Sequence, residues 1–253
     1  MRAMILAAGR GERMRPLTDT CPKPLLPVGG HPLIVWHLRR LAGAGIRDIL
    51  INHAWLGERI EAALGDGRAW GVRLRYSAET SALETAGGIA RALPFFQDQP
   101  FLVINGDIWC DWDPALAGDW LAALPADVLA HLLLVDNPAH HPGGDFTLGP
   151  DGRAGLASPP QPAFTFAGIG LYRPALFADT PADRPAPLAP LLRQAMARGA
   201  VLGTRHAGRW IDVGTPERLR ALDQALSAVP QCGVPTGPHP GVPPAGPGAA
   251  GRG

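Results

Sequence analysis

Short apolar runs alternate along the first half of the chain with segments whose apolar residues recur at helical spacing. Strands are predicted at residues 3–6, 48–52, 72–76, 101–105 and 128–135. Helices are predicted at residues 32–44, 56–64, 85–93 and 115–124. Alternation at this pitch is typical of βαβ units. The pattern therefore predicts an α/β fold: a doubly wound, mainly parallel, Rossmann-like sheet with helices on both faces.

The pattern changes after Asp136. Gly152 follows Pro150 and Asp151 and indicates a hairpin turn, and a longer strand is predicted over 164–172. Closing helices are predicted at 188–198 and 216–226, with a short strand at 201–204 between them. We therefore expect a small antiparallel excursion in the second half of the sheet.

The end of the chain has a different composition. Of the 24 residues in 230–253, 14 are Pro or Gly, and the segment has no periodic apolar pattern. Such a segment buries too little apolar surface to offset the entropy lost on ordering. We therefore predict one folded domain over residues 1–229 and a disordered tail over 230–253.

The overall composition excludes several classes of protein. A net charge of +1 provides no electrostatic footprint for nucleic acid or an anionic membrane, and no apolar run approaches the length of a membrane-spanning helix. Three scattered cysteines without a CxxC pair indicate neither a disulfide framework nor a zinc site. We expect a cytoplasmic protein that binds neither nucleic acid nor membrane; the sequence indicates no oligomeric state.

The first predicted strand runs into a glycine-containing loop at the edge of the sheet where ligands bind in such folds. Gly9 and Gly11 allow backbone N–H groups to approach an anion closely, and Arg13 adds a cation. Lys23, the single lysine among 23 basic residues, follows between two prolines. A dinucleotide fingerprint is excluded because Met14 occupies the third glycine position. The loop and the lysine therefore predict a cradle for a triphosphate.

These residues resemble the signature of the sugar-1-phosphate nucleotidylyltransferases. The matching segments are Leu-Ala-Ala-Gly-x-Gly-x-Arg-Met-x-Pro-Leu-Thr at 6–18, Pro-Lys-Pro at 22–24, Glu-Thr-Ala-Gly-Gly at 84–88, Asn-Gly-Asp at 105–107 and Trp-Ile-Asp-Val-Gly-Thr at 210–215. The segments at 51–57, 134–138 and 140–146 are still closer to a bacterial subgroup of uridylyltransferases of cell-wall recycling. The resemblance spans residues 3–226.

The resemblance implies Mg²⁺-dependent phosphoryl chemistry. Catalysis of this kind is mostly positioning and cationic stabilisation of the phosphates. Asp107 and Asp212 are then expected to be the metal ligands, because Mg²⁺ prefers carboxylate oxygens. Lys23 is expected to contact the phosphoryl group under attack, and Arg13 the leaving phosphates.

The resemblance also implies residues that bind each substrate. Expected nucleotide-binding residues, besides Arg13 and Lys23, are Ala8, Gly9, Gly11, Glu12, Glu79 and Gly88. A carboxylate at the base-reading position accepts from uracil, thymine or guanine and does not choose among them. Expected sugar-phosphate-binding residues are Asn105, Gly144 and Asp145. A lactyl carboxylate on the sugar would favour His140, His141 or Arg205 as its partner.

Within this resemblance the expected reaction joins UTP and N-acetylmuramate α-1-phosphate to give UDP-N-acetylmuramate and pyrophosphate. The alternatives are a guanylyl- or thymidylyltransferase acting on a mannose, heptose or glucose 1-phosphate, and a non-catalytic nucleotide-binding protein. The paired carboxylates Asp107 and Asp212 argue against the last, since nucleotide binding alone does not require both.

Overall fold

The computed structural model describes residues 1–157 and 161–228. The helices are α1 (Leu17–Thr20), α2 (Leu33–Gly43), α3 (Gly57–Leu64), α4 (Glu84–Phe96), α5 (Leu116–Ala123), α6 (Leu188–Ala197) and α7 (Pro216–Ser227). The strands are β1 (Arg2–Leu6), β2 (Pro27–Val28), β3 (His31–Pro32), β4 (Asp48–His53), β5 (Arg73–Ala78), β6 (Phe101–Asn105), β7 (Ile108–Cys110), β8 (Ala130–Val135), β9 (Phe146–Leu148), β10 (Ala154–Leu156), β11 (Ala163–Tyr172), β12 (Val201–His206) and β13 (Trp210–Asp212). The tail predicted over 230–253 lies outside the described residues.

The described part of the chain contains a nine-stranded mixed sheet. Its core is parallel, in the order β6-β1-β4-β5, and β11 adds to β6 in the antiparallel direction. Along the edge of β11 that faces away from β6, β8 pairs with β11 in the antiparallel direction. Strand β12 then pairs with β8 in parallel. The predicted α/β fold and its antiparallel excursion are confirmed, including the hairpin of β9 and β10 around Gly152.

Alternating side chains of the parallel strands pack into two apolar layers, one on each face of the sheet. From β1, Ala3 and Ile5 pack with α2, α3 and α5 on one face, whereas Met4 packs with α4 and α6 on the other. All three side chains are fully buried, as expected for a strand covered on both faces. None of the described helices has the length and apolar character required to cross a bilayer.

A third apolar cluster lies at the carboxyl edge of the sheet. Leu219, Leu222 and Leu226 of α7 pack there against Met14 and Val213. The sequence analysis predicted α7 but not its partner, a two-stranded ribbon formed by β7 and β13. This cluster anchors the glycine loop and the ribbon to each other.

Candidate active site

The lysine and the first aspartate singled out from the sequence meet at the carboxyl edge of the sheet. Lys23 Nζ donates to Asp107 Oδ2 over 2.8 Å, although 84 positions separate the two residues. Lys23 is only 7% exposed, whereas the Asp107 side chain is 44% exposed. Pro22 and Pro24 flank Lys23 at the start of a 3-10 turn, which restricts the backbone at this point. The ammonium is therefore held in place beside a carboxylate that solvent reaches.

The glycine loop closes over the stem of this lysine. Gly11 has φ +69° and begins the 3-10 turn Glu12–Met14. A Cβ at this position would lie 3.1 Å from Thr18 Cγ2 and 3.3 Å from Lys23 Cβ. Glycine therefore provides both the left-handed backbone and the close approach.

A cavity of about 460 Å³ opens between the loop and the strand ends. We call it the first cavity. Residues predicted to bind the nucleotide, the sugar phosphate or the metal line it: Ala8, Gly9, Gly11, Glu12, Arg13, Lys23, Asn105 and Asp107. The anion-binding loop, the lysine and one carboxylate thus share one space, as the motif spacing predicts.

The β7–β13 ribbon brings the second aspartate to the first. Asp212 lies opposite Ile108 in the ribbon, and the Val213 backbone N–H donates to the Asp107 carbonyl over 3.0 Å. Both aspartates line a second cavity of about 410 Å³, and Arg13 lines it as well as the first. The two carboxylates therefore lie on adjoining backbone segments and face a common space.

Asp212 has a cationic partner, Arg218, that the sequence analysis did not identify. Arg218 Nη1 donates to Asp212 Oδ2 over 2.6 Å and to the Asp212 carbonyl over 3.1 Å. His140 Nε2 lies 2.9 Å from the same Arg218 atom and 3.6 Å from Asp212 Oδ2. Arg218 is in the first turn of α7, where the helix cap at Thr215 orients it toward the ribbon. A basic residue one helical turn past the Asp-x-Gly segment is the signal that could have found it.

The carboxylates of Asp107 and Asp212 have the chemistry that a hard divalent ion takes as ligands. Asp107 accepts from Lys23, and Asp212 accepts from Arg218, in each case through Oδ2. Within residues 1–157 and 161–228, the Oδ1 atom of each aspartate makes no hydrogen bond. Two hard oxygen donors at the edge of a cavity are the ligand type that Mg²⁺ takes together with substrate phosphates. The residues present therefore suit Mg²⁺ better than a soft metal.

Glu79, the predicted base-reading residue, is buried and does not line the first cavity. Glu79 is 6% exposed and lines none of these cavities. Its Oε1 accepts from Asn52 Nδ2 over 2.7 Å and its Oε2 from the Leu83 backbone N–H over 2.9 Å. Gly88 packs against this pair, since a Cβ there would lie 2.8 Å from Asn52 Nδ2. Asn52 lies between Glu79 and the first cavity, which it lines.

The predicted sugar residues lie around the second cavity and a third of about 480 Å³. Asn105 lines all three cavities, and Asp145 lines the third. The Asp145 carboxylate accepts from the Phe166 backbone N–H over 2.8 Å and lies 3.1 Å from His141 Nε2. Gly144 forms a turn with φ +62° and lines none of the three. Arg205 instead forms an exposed two-pronged pair with Asp136.

The first two residues of α4, Glu84 and Thr85, also line the cavities. Glu84 lines both the first and the third cavity, together with Thr85. Glu84 has φ +55°, a conformation uncommon for a residue with a side chain. Such backbone conformations are enriched at ligand sites. Glu84 therefore marks the junction between the space beside the glycine loop and the apolar third cavity.

Comparison with known proteins identifies a family that covers most of the chain. The model of the Nucleotidyl transferase family matches residues 2–228. The chain is 56% identical over 228 residues to the N-acetylmuramate alpha-1-phosphate uridylyltransferase of Neisseria meningitidis serogroup B, covering 90% of this chain and 98% of that protein. A Caulobacter vibrioides protein of the same name is 34% identical over 234 residues, covering 89% and 96%.

Solved structures give the same fold. A Bacillus anthracis protein, assigned provisionally as a glucose-1-phosphate thymidylyltransferase and crystallised with sucrose, superimposes with a TM-score of 0.78 at 24% identity. The match covers 91% of this chain and 96% of that one. The family model, the two long relatives and the converging site residues lead to one conclusion: the chain belongs to the nucleotidyl transferase family.

Proposed function

We propose that this protein transfers a uridylyl group from UTP to N-acetylmuramate α-1-phosphate and releases pyrophosphate. The observation that carries the proposal is the 56% identity to the Neisseria enzyme over 98% of that enzyme's length. The site supports it chemically, because a buried ammonium, a glycine loop and two carboxylates converge at the edge of the sheet.

In this proposal the triphosphate occupies the first cavity. Backbone N–H groups of the loop at Ala8, Gly9 and Gly11 face its phosphates. Lys23 lies against the α-phosphoryl group, where a compact point charge stabilises the negative charge that develops during attack. Arg13 lines both cavities and holds the leaving phosphates, because its guanidinium binds two oxygens at once.

The metal ligands in this proposal are Asp107 and Asp212. Bound Mg²⁺ would supply positive charge to the phosphate oxygens that these two residues alone would repel. Lys23 and Arg218 each hold one of the carboxylates through its Oδ2. The two aspartates are therefore oriented by protein contacts before substrate binds, which lowers the reorganisation needed for reaction.

The sugar phosphate is proposed to enter through the second cavity. Asn105 lies where the three cavities join and is placed to bind the sugar next to the attacked phosphate. His140 and His141 line the second cavity and suit the carboxylate of a lactyl group. Gly144 forms the turn that precedes Asp145. Asp145 lines the third cavity, which offers apolar surface from Phe166, among others, to the N-acetyl methyl group.

The proposal is tested by pyrophosphate release from four nucleoside triphosphates with a panel of sugar 1-phosphates. We expect UTP with N-acetylmuramate α-1-phosphate to have the highest kcat/KM, and removal of divalent cations by EDTA to abolish turnover. Faster turnover of GTP with mannose 1-phosphate, or of dTTP with glucose 1-phosphate, would contradict the substrate assignment. No pyrophosphate release from any pair, with UTP still bound, would favour a non-catalytic nucleotide-binding protein.

A further inference from the structure

The glycine loop has an inner side and an outer side. Gly9 and Gly11 line the first cavity, whereas Arg10 between them is exposed and lines none of the three cavities. The Arg10 Cζ atom lies 4.6 Å from the centroid of the Trp55 ring. A guanidinium is attracted to an aromatic face, because the π-electrons carry negative charge there. Arg10 therefore attaches the outer side of the loop to the turn between β4 and α3.

Trp55 reaches the loop a second time through Thr18. The Trp55 Nε1–H donates to the Thr18 carbonyl over 3.0 Å, and the Thr18 hydroxyl donates to the Gly11 carbonyl over 2.8 Å. Helix α1 has only four residues, and so short a helix leaves its carbonyl groups without intrahelical partners. The indole N–H supplies one of the missing donors and connects Trp55 to the loop at Gly11.

The Trp55 ring belongs to a closely packed turn. Gly57 at the start of α3 lies against His53, so that a Cβ on Gly57 would be 1.9 Å from the His53 Nδ1 atom. Arg59, in the first turn of α3, donates to the Thr20 carbonyl. The turn therefore donates to α1 at two carbonyls and presents the Trp55 ring from outside the glycine loop.

Contacts on the outer side suit the work of such a loop. Glycine lets the backbone follow phosphate groups closely, and it also makes the backbone costly to order. A segment that orders only when its ligand binds weakens the affinity by the free energy of ordering. Contacts with Trp55 lower this cost without competing with the phosphates for the inner side of the loop.

We propose that Trp55 is a positioning residue that holds the glycine loop from its outer side, through the Arg10 guanidinium and the Thr18 carbonyl, and so strengthens binding of the triphosphate. This proposal rests on the proposed function in taking the first cavity as the triphosphate site. It assigns Arg10 to the attachment of the loop and not to contact with a phosphate.

Three variants test the two contacts. Arg10→Gln removes the cation and should raise the Kd and KM for UTP about two- to fivefold, the usual strength of an exposed cation–π contact. Trp55→Leu removes the ring and the indole N–H together and should raise both constants about tenfold. The double variant Arg10→Gln/Trp55→Leu should bind UTP no more weakly than Trp55→Leu, because Arg10 has no ring to contact there.

Arg10→Tyr separates attachment of the loop from charge. A tyrosine ring can pack on the Trp55 ring, and the strength of an aromatic pair is similar to that of an exposed cation–π contact. This variant holds the loop but offers no positive charge to a phosphate. Its Kd for UTP should therefore lie within about twofold of the parent value. Direct contact between Arg10 and a phosphate predicts instead a Kd at least as high as that of Arg10→Gln.

Further readouts distinguish positioning from a general loss of structure. The KM for the sugar phosphate should be unchanged, and each variant should lose the same factor in affinity for UTP, GTP and dTTP, because the loop contacts phosphates and not the base. Arg75→Gln is the matched control. Arg75 is exposed, its Cζ atom lies 5.7 Å from the Phe95 ring centroid, and it lines none of the three cavities, so this variant should keep the parent Kd.

Three outcomes overturn the proposal. They are an Arg10→Gln variant with the parent Kd, an Arg10→Tyr variant as weak as Arg10→Gln, and additive losses in the double variant. The last two would show that Arg10 contacts the phosphates itself. If Trp55→Leu does not fold, the comparison of Arg10→Tyr with Arg10→Gln decides between the two roles. Calorimetry requires no turnover, so a parent protein that binds UTP but releases no pyrophosphate contradicts the proposed function alone.

Discussion

Replacement of Lys23 separates its role in catalysis from its role in folding. Lys23→Met removes the charge, and Lys23→Arg keeps the charge but spreads it over a planar fork. The ammonium donates to the Asp107 carboxylate, and the stem of the buried Lys23 side chain lies under Gly11. We expect either change to lower kcat by about 10²–10³-fold, the usual cost of removing one preorganised donor at a developing charge.

The fall in the free energy of unfolding should be much smaller than the free energy that corresponds to the loss in kcat. Removal of one partner from a fully buried ion pair costs about 3–5 kcal/mol. The Asp107 side chain is 44% exposed, so solvent screens the charge left behind and the cost falls to about 1 kcal/mol. The expected loss in kcat corresponds to about 3–4 kcal/mol. A domain with a typical 5–15 kcal/mol of stability stays folded, so unfolding cannot account for the lost turnover.

Pyrophosphate release at saturating UTP measures kcat, and urea unfolding measures stability. Arg15→Met is the matched control, because Arg15 lies in the same segment but forms an exposed pair with Asp19 outside the three cavities. The double variant Lys23→Met/Asp107→Asn removes the uncompensated charge, so it should regain stability without regaining turnover. A kcat within about threefold of the parent for Lys23→Arg would refute the reasoning from a required point charge.

Three further predictions concern the surroundings of the site. Asp107→Asn and Asp212→Asn should each raise the Mg²⁺ concentration needed for half-maximal turnover or abolish turnover, and normal activity of both at low Mg²⁺ would refute the metal assignment. Gly106→Ala should lower the unfolding free energy by about 1–3 kcal/mol, since its Cβ would lie 2.6 Å from a backbone oxygen of β1; Gly118→Ala in α5, with open space, should not. Burial lowers the pKa of His37 to about 4 from 6.5, so between these pH values the unfolded chain binds a proton that the folded chain does not. Stability should therefore fall by about 3 kcal/mol as pH drops from 7 to 4, and a urea series should show a flatter profile for His37→Gln.

The elements that position the site could be predicted from the sequence wherever the pattern was long enough. Strands β1 and β6 are apolar runs ending at glycine-containing motifs, and the edge rule places Lys23 and Asp107 together. The ribbon of β7 and β13 has three residues in each strand, too few to show a period. Its strands come from Ile108–Cys110 and Trp210–Asp212, so no local signal indicates the pairing that brings Asp212 to Asp107.

Asn52 shows a different limit of sequence reasoning. Strand β4 ends Ile51-Asn52-His53, without the acidic residue that binds a ribose in dinucleotide-binding folds. An amide at the carboxyl end of a central parallel strand is also a signal, because that edge borders the ligand site. Its contacts depend on the Ala7 backbone N–H, which donates to it, and on Glu79, to which it donates; only the folded chain brings these groups together.

The carboxylates of the motifs divide by how many of their oxygens the protein uses. Glu79 and Asp145 have both oxygens bonded to protein groups, and each ties a loop to its neighbour. Asp107 and Asp212, within the described ranges, use Oδ2 only and face the second cavity. Each carboxylate oxygen can accept two hydrogen bonds, so an oxygen without a protein partner has the most capacity left for an ion or a substrate. The sequence identifies all four of these acids, whereas the number of their oxygens that the protein uses depends on partners that only the fold brings to them.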